Sequence, residues 1–171
     1  MKSPILPLVI LVTSSLILPA AARVGETEAQ CIERYGNPFR QSPGEPGRSD
    51  KTAWFRKSVF DLCVLFDKGR AVSVTYTRTP KLGRKAAITP AEQTSLMRAN
   101  SGSKSWRELR ASKADDRYET FDRKMGARYN RGKKYLEVFD GKWREALKQA
   151  KKARGEAEAA AAAASAELKG L

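Results

Sequence analysis

Residues 59–78 constrain the fold of this chain more than any other segment. Large apolar side chains recur at every second position along both of its halves, with Phe60, Leu62, Val64 and Phe66 in the first half and Val72, Val74 and Tyr76 in the second. A period of two is typical of half-buried β-strands. Asp67-Lys68-Gly69-Arg70 separates the halves, and Gly69 can adopt the positive φ of a tight turn. We therefore predict a β-hairpin with one apolar face.

Helix and strand signals surround this hairpin on both sides. Residues 28–35 read as a short helix that ends at Gly36, and Thr89-Pro90-Ala91-Glu92 begins a second helix that runs to about Asn100. Residues 40–51 are rich in Pro, Gly and Ser and are predicted to form a loop. Further strands are predicted at 52–56, 117–121, 125–129 and 133–139, with the type of the segment around Trp106 left open.

The chain contains an internal similarity at a shift of 63 residues. This shift matches Phe66-Asp67-Lys68-Gly69-Arg70 in kind with Tyr129-Asn130-Arg131-Gly132-Lys133. We interpret the match as two tandem α-β-β-β units, at 23–79 and 89–140, joined by a basic linker at 80–88 and sharing one sheet or core. Convergent hairpin chemistry is the alternative. The predicted fold class is α+β, with antiparallel sheet packed by short helices.

The order of elements resembles the α/β modules of β-lactamase inhibitor protein and of the small outer-membrane-assembly lipoproteins of the SmpA/OmlA type. The similarity rests on a short helix that closes on Tyr35-Gly36-Asn37-Pro38 and on the meander joined by Asp67-Lys68-Gly69-Arg70. The Gly-Met-Thr helix start and the lipobox of that family are absent. The resemblance implies a non-catalytic protein-binding module, without any contact residue that can be carried over.

The first 22 residues have the pattern of a secretory signal peptide. Lys2 precedes an apolar run from Ile5 to Leu18, and small residues follow up to Ala22. The apolar run is short and contains Pro7, so a cleaved leader is favoured over an uncleaved anchor. We expect a secreted or periplasmic protein without stable membrane insertion after cleavage.

The charge of the chain is strongly positive. It has 33 Lys and Arg against 19 Asp and Glu, and 32 − 19 = +13 remains after loss of the leader. Such a charge favours a polyanionic partner such as lipopolysaccharide, a wall polymer or nucleic acid, or else forms only a solvated surface. Residues 141–171 are predicted to form a long helix rich in Ala and Lys, of low complexity beyond Gly155. The candidate polyanion contacts are Lys81, Arg84, Lys85, Lys148, Lys151, Lys152 and Arg154.

No segment has the pattern of a reaction centre. Histidine is absent, and two cysteines are too few for a zinc cluster. The adjacent pair Asp115-Asp116 is interpreted as a solvated turn rather than a catalytic dyad. Trp54, Trp106 and Trp143 suit core or edge cover, with stacking on bases or sugars as the alternative. We predict no enzyme, no cofactor and no small-molecule substrate.

Cys31 and Cys63 are candidates for a disulfide bond, because an exported chain enters an oxidising compartment. The strand pattern opposes this bond, since Cys63 alternates with the apolar residues of its strand and so lies on the other face. Two separately buried thiols are therefore the alternative.

The sequence as a whole predicts a non-catalytic binding or structural protein of the cell envelope or secretome. The preferred partner is an unknown protein or envelope component bound through the sheet. The alternative is a polyanion bound through basic side chains. A cryptic hydrolase is a third possibility that would need a polar pocket with a perturbed acid or lysine.

Overall fold

Eight antiparallel strands in one sheet form the body of the protein. The structure is a computed structural model that describes residues 23–80, 83, 86–102 and 104–169. The predicted leader and the linker residues Lys81, Arg84 and Lys85 lie outside the described residues. In chain order the elements are α1 (Glu28–Tyr35), β1 (Arg40–Pro43), β2 (Lys51–Lys57), β3 (Phe60–Asp67), β4 (Arg70–Arg78), α2 (Pro90–Ser101), β5 (Trp106–Ala111), β6 (Asp115–Thr120), β7 (Met125–Asn130), β8 (Tyr135–Asp140) and α3 (Gly141–Lys169). The predicted α+β class is confirmed.

The two short helices begin in the same way. The Thr27 side chain accepts a hydrogen bond from the backbone N–H of Gln30, and the Gln30 side chain accepts one from the Thr27 backbone. Thr89 and Glu92 repeat this capping box at the start of α2, where Pro90 takes the first helical position. Each box satisfies two backbone donors that would otherwise have no partner. The predicted start of the second helix is confirmed.

The predicted hairpin is formed by β3 and β4. Asp67 pairs with Arg70, and the turn residues Lys68 and Gly69 have φ of 51° and 72°. In the second hairpin Asn130 pairs with Tyr135, so four residues rather than two form the turn. The positive φ there is at Lys134 (57°) and not at Gly132. The sequence match of the two turns therefore does not extend to their conformation.

The sheet has the strand order β1-β2-β3-β4-β8-β7-β6-β5. Each half consists of a helix followed by four strands, and the last strands of the halves pair with each other around Val74 and Val138. The sequence predicted three strands per half. It missed β1, which lies in the predicted loop and is held by backbone pairing to β2 without an alternating pattern of its own. The shared sheet is as predicted, and an ancestral duplication stays a prediction.

The two faces of the sheet differ in what covers them. On the inner face α1 and α2 cover a fully buried core that includes Phe55, Val64, Tyr76 and Leu136. The outer face carries the alternate residues, among them Cys63 and Glu137. The first turns of α3 pack on this outer face, as described below. Among the described residues no helix is long and apolar enough to span a membrane.

The N-terminal end of α3 is fixed to the sheet by three hydrogen bonds. Asp140 Oδ1 caps the helix by accepting from the backbone N–H of Trp143 at 2.8 Å. The Trp143 indole Nε1 donates to the carbonyl oxygen of Arg48 at 2.8 Å, in the loop before β2. The backbone N–H of Gly141 donates to the carbonyl of Lys124 at 2.9 Å. The predicted long C-terminal helix is confirmed, and it continues through Gly155.

Candidate anion-binding groove

A groove of about 770 Å³ lies between α3 and the outer face of strands β5 to β7. Its volume falls within the range of ligand-binding clefts. Six cationic side chains line it: Arg117, Arg123, Arg128, Arg144, Lys148 and Lys151. Two acidic side chains, Glu119 and Glu145, also line it. The concentration of cations makes this groove the strongest candidate site in the part of the chain that the structure describes.

The floor of the groove is an aromatic ring that lies on a glycine. Gly126 of β7 pairs with Phe139 of β8. A Cβ placed on Gly126 would come within 2.4 Å of the Phe139 ring, so only glycine leaves room for the ring to lie flat across the strand. The guanidinium of Arg144 lies 4.9 Å from the centroid of this ring, at the distance of a cation–π contact. This stack connects α3 to the sheet and gives the groove an apolar base with a cation above it.

A row of three arginines crosses the outer face in the groove region. Arg110 of β5 pairs with Arg117 of β6, and Arg117 pairs with Arg128 of β7. Neighbouring strands are about 4.8 Å apart, and like charges directly opposite each other destabilise a sheet. We call these three residues the arginine row. Such a row needs anions beside it, from the protein or from a ligand.

One carboxylate of the protein serves two members of the arginine row. Asp115 Oδ2 lies 3.4 Å from Arg117 Nη2 and 3.0 Å from Arg128 Nε. The Arg128 Nε atom is buried and, in spite of this short distance, its N–H makes no hydrogen bond within the described residues. Arg110 forms no ion pair with any residue that the structure describes. The row therefore carries more positive charge than Asp115 neutralises.

The other cations of the groove share a small number of acids. Glu119 contacts both Arg107 and Arg123, the latter at 3.8 Å. The remaining pairs are Arg144 with the buried Glu137 at 3.4 Å and Lys148 with Glu145 at 3.1 Å. Six cations (five that line the groove, and Arg107) thus share four carboxylates, and the sixth lining cation, Lys151, forms no ion pair among the described residues. The local excess is 7 − 4 = +3.

The structure corrects the interpretation of Asp115-Asp116 as a solvated turn. Both residues lie in β6, and each is only 7% exposed. Asp115 is on the outer face with the arginine row, whereas Asp116 is on the inner face and binds Arg131 at 2.7 Å. Adjacent strand residues point to opposite faces, so the two carboxylates do not form a dyad.

Only part of the predicted polyanion surface lines the groove. Lys148 and Lys151 line it, as members of the docked part of α3. Lys152 and Arg154 do not, and they pair along the exposed helix with Glu156 (3.7 Å) and Glu158 (2.7 Å). Sequence reasoning missed the arginines of β6 and β7. Their signal was the alternation of Arg117 with Glu119 and the position of Arg128 in a predicted strand, but the pairing register was needed to join them.

Cys31 and Cys63 are both free thiols in the structure, which weighs against the predicted disulfide bond. Cys31 is on α1 in the core of the inner face, and Cys63 is on the outer face of β3, opposite Trp54 and Thr75. The sheet itself separates the two sulfur atoms. Burial raises the pKa of the Cys31 thiol to about 12, and it raises the pKa of Cys63 to about 11.

Both thiols are expected to react slowly with an alkylating reagent in the folded protein. At pH 8 a group with a pKa of about 11 is roughly 0.1% thiolate, and the thiolate is the reactive form. The rate should rise tenfold for each pH unit up to that pKa. Alkylation followed by mass spectrometry measures this rate at each pH. Unfolding the protein without reductant should then expose two reactive thiols. Recovery of no thiols after unfolding would show that the disulfide bond exists.

The three tryptophans are each engaged by neighbouring groups of the protein. The guanidinium of Arg40 lies 4.7 Å from the ring centroid of Trp54, and the indole N–H of Trp106 donates to Ser101 Oγ at 3.0 Å. Trp143 holds α3 to the loop before β2. These contacts agree with the prediction of core or edge cover, and stacking on a ligand stays an alternative for Trp106, which lines a second cleft beside α2.

No protein-family model matches this chain, and no curated protein sequence matches it. A solved structure with distant similarity is that of an extracellular protein containing an SCP domain from Bacillus anthracis str. Ames. The TM-score is 0.38 with 8% sequence identity, and the match covers 68% of this chain and 44% of that chain. At this level no site or activity carries over from that protein. The relationship to the SmpA/OmlA and β-lactamase inhibitor modules stays a prediction from the sequence.

Proposed function

We propose that this protein is an exported, non-catalytic binding protein that holds an anionic ligand in the groove between α3 and strands β5 to β7. One observation carries the proposal: six cations line a single groove, and together with the neighbouring Arg107 they outnumber the carboxylates beside them by three. Low-dielectric walls on both sides of a cleft concentrate the field of such charges and attract ligands of opposite sign. Export rests on the leader pattern of residues 1–22.

The chemistry of the groove supports binding rather than catalysis. A general acid or base works best with a pKa near the working pH. The lining cations are arginines and lysines, and the carboxylates beside them are engaged in ion pairs. These groups are suited to hold charge and not to transfer protons.

A protein partner bound through the sheet is the second candidate function. Two large apolar side chains are exposed beside the β5 edge, Leu109 at 53% and Phe121 at 66%. Exposed apolar residues at an unpaired strand favour a partner that adds a strand or covers the edge. Such a contact would respond only weakly to salt, whereas anion binding would respond strongly.

Binding of the sulfated polysaccharide heparin, as a generic polyanion, tests the first candidate. For three charged contacts the affinity should fall on the order of 20- to 40-fold between 50 and 200 mM salt. Combined replacement of Arg123, Lys148 and Lys151 with glutamine should weaken binding and flatten the salt dependence. These three are suitable because Arg123 lies 3.8 Å from Glu119, the ion pair of Lys148 with Glu145 is solvent-exposed, and Lys151 forms no ion pair among the described residues.

The matched control replaces Lys142, Lys152 and Arg154 with glutamine, which removes the same charge outside the groove. We expect the control to bind nearly as well as the parent protein. Equal loss of affinity in both variants would mean that heparin senses only net charge, and the groove assignment would then be wrong. Fluorescence anisotropy with labelled heparin fragments gives both quantities.

A further inference from the structure

We propose that the anionic ligand is a phosphate-headed lipid, with its phosphate on the arginine row and its acyl chain against Leu109, Phe139 and Leu147. This inference rests on the function proposed above and adds the class of ligand to it. Two features carry it. The first is the arginine row, of which Arg117 and Arg128 line the groove while Arg110 lies beside Arg117 on the neighbouring strand. The second is the set of apolar side chains that line the same groove.

The arginine row fits a phosphate better than it fits the carboxylate already present. A guanidinium presents several N–H donors in a plane and binds phosphate oxygens in pairs. Asp115 offers two oxygens and one charge, whereas a phosphate group offers more oxygens and up to two charges. The buried Arg128 Nε makes no hydrogen bond within the described residues, and Arg110 has no ion pair there. An added phosphate would accept hydrogen bonds from the exposed guanidinium donors of the row and offset the repulsion between the three side chains.

The apolar part of the groove points to an acyl chain. Leu109 is the extra residue of a β-bulge in β5, since the pairing register shifts between Glu108 and Arg110. Bulges redirect side chains, and here Leu109 lines the groove next to the arginine row while it is 53% exposed. Leu147 of α3 and the Phe139 ring line the same space.

This combination separates a lipid from a phosphate polymer. A polymer backbone would use the cations alone and would leave Leu109, Leu147 and the Phe139 ring in contact with water. A phosphate-headed lipid covers both the charged and the apolar parts, because its headgroup and chain are directly connected. The apolar side chains of the groove therefore favour the lipid.

The test compares three soluble probes at low salt. They are phosphatidic acid with two six-carbon chains, glycerol 3-phosphate, and phosphatidylcholine with the same chains, all below their micellar concentrations. If three methylene groups are buried, phosphatidic acid should bind about 50-fold more tightly than glycerol 3-phosphate. It should also bind at least about tenfold more tightly than phosphatidylcholine, whose phosphate is shielded by a cation. Isothermal titration calorimetry measures all three.

Two variants separate the headgroup contact from the chain contact. Arg110→Gln should weaken phosphatidic acid and glycerol 3-phosphate about equally, and this exposed side chain has no ion pair among the described residues whose loss would disturb folding. Leu109→Ser should weaken phosphatidic acid and leave glycerol 3-phosphate unchanged. Val59→Ser is the matched control for an exposed apolar residue, since Val59 lies in the other half of the protein and is 37% exposed.

Arg117→Lys examines the geometry of the contact. It keeps the charge and removes the planar fork, so a loss of phosphatidic acid binding indicates bidentate recognition. Unchanged binding would indicate a diffuse charge effect and would count against the arginine row.

The outcomes distinguish this inference from the function on which it rests. Equal affinity for phosphatidic acid and glycerol 3-phosphate, both reduced by Arg110→Gln, would overturn the lipid assignment and keep anion binding in the groove. Equal affinity for phosphatidic acid and phosphatidylcholine would overturn phosphate recognition. Absence of salt-sensitive binding to every probe, heparin included, would overturn both.

Discussion

Replacement of Leu136 with alanine is expected to lower the free energy of unfolding by about 3 to 4 kcal/mol. Leu136 is fully buried in β8 and pairs with Tyr76 of β4 on one side and with Tyr129 of β7 on the other. Truncation removes apolar contacts from both halves and leaves a cavity where the backbone is held by pairing on both sides, so the site collapses poorly.

The shape of the unfolding transition is part of this expectation. Because both halves contribute side chains to the same core, the variant should still unfold in one step, at a lower denaturant concentration. Urea titrations followed by tryptophan fluorescence and by far-ultraviolet circular dichroism should give coincident midpoints. The exposed Leu109→Ala is the control and should change stability by less than about 0.5 kcal/mol. Two separate transitions would contradict the shared core, because one half would then survive the loss of the other.

Replacement of Trp143 with alanine is expected to detach α3 from the sheet while the sheet itself stays folded. The indole fills the contact with the loop before β2, and its N–H donates to the carbonyl of Arg48. Truncating this half-buried aromatic side chain should cost about 2 to 3 kcal/mol, a shift of roughly 30-fold or more in the docking equilibrium. Free α3 would keep part of its helicity, since it is long and rich in alanine.

Two measurements separate detachment from general unfolding. Hydrogen exchange should lose protection in the first turns of α3 and keep it in β3, β4, β7 and β8. Heparin affinity should fall together with this loss, because α3 supplies one wall of the groove. Lys142→Ala, at the exposed neighbouring position, is the control for helix propensity at this end. Intact heparin binding by a protein whose α3 exchanges freely would show that the anion binds elsewhere.

The core of the sheet could be predicted from the sequence because its central strands carry apolar side chains at every second position. Leu62, Val64, Val74 and Tyr76 occupy every second position of their strands and lie on the inner face as expected. The capping box at Thr89 is a local signal of the same kind, since only the four residues from Thr89 to Glu92 decide it. Edge strands gave no such signal. Arg40–Pro43 is polar and is held by backbone hydrogen bonds to β2, which composition does not encode.

The candidate groove could not be predicted, because it depends on register. Arg110, Arg117 and Arg128 are spread over 19 positions of the chain and meet only when three strands pair with a particular offset, which includes the bulge at Leu109. The sequence singled out Lys148 and Lys151 from charge density in the tail, and the structure places both in the groove. Charge density alone could not separate them from Lys152 and Arg154, which share the helix but not its docked side.

The two cysteines show how a local sequence pattern can outweigh a general expectation about disulfide bonds. The expectation came from the oxidising compartment, which makes a bond between two cysteines common. The alternation of β3 already placed Cys63 opposite the apolar side chains. In the structure this alternation decides the outcome, because α1 brings Cys31 to the inner face only.

The two outermost strands of the sheet determine whether molecules can join side by side. β1 is only four residues long and ends at Pro43, which has no amide hydrogen to offer a neighbour, and β5 is bent by its bulge. A straight border with regularly spaced donors and acceptors is what a fibre needs in order to grow. Neither border of this molecule provides one, so repeated side-by-side addition of copies is disfavoured, while a single partner can still cover the exposed β5 edge.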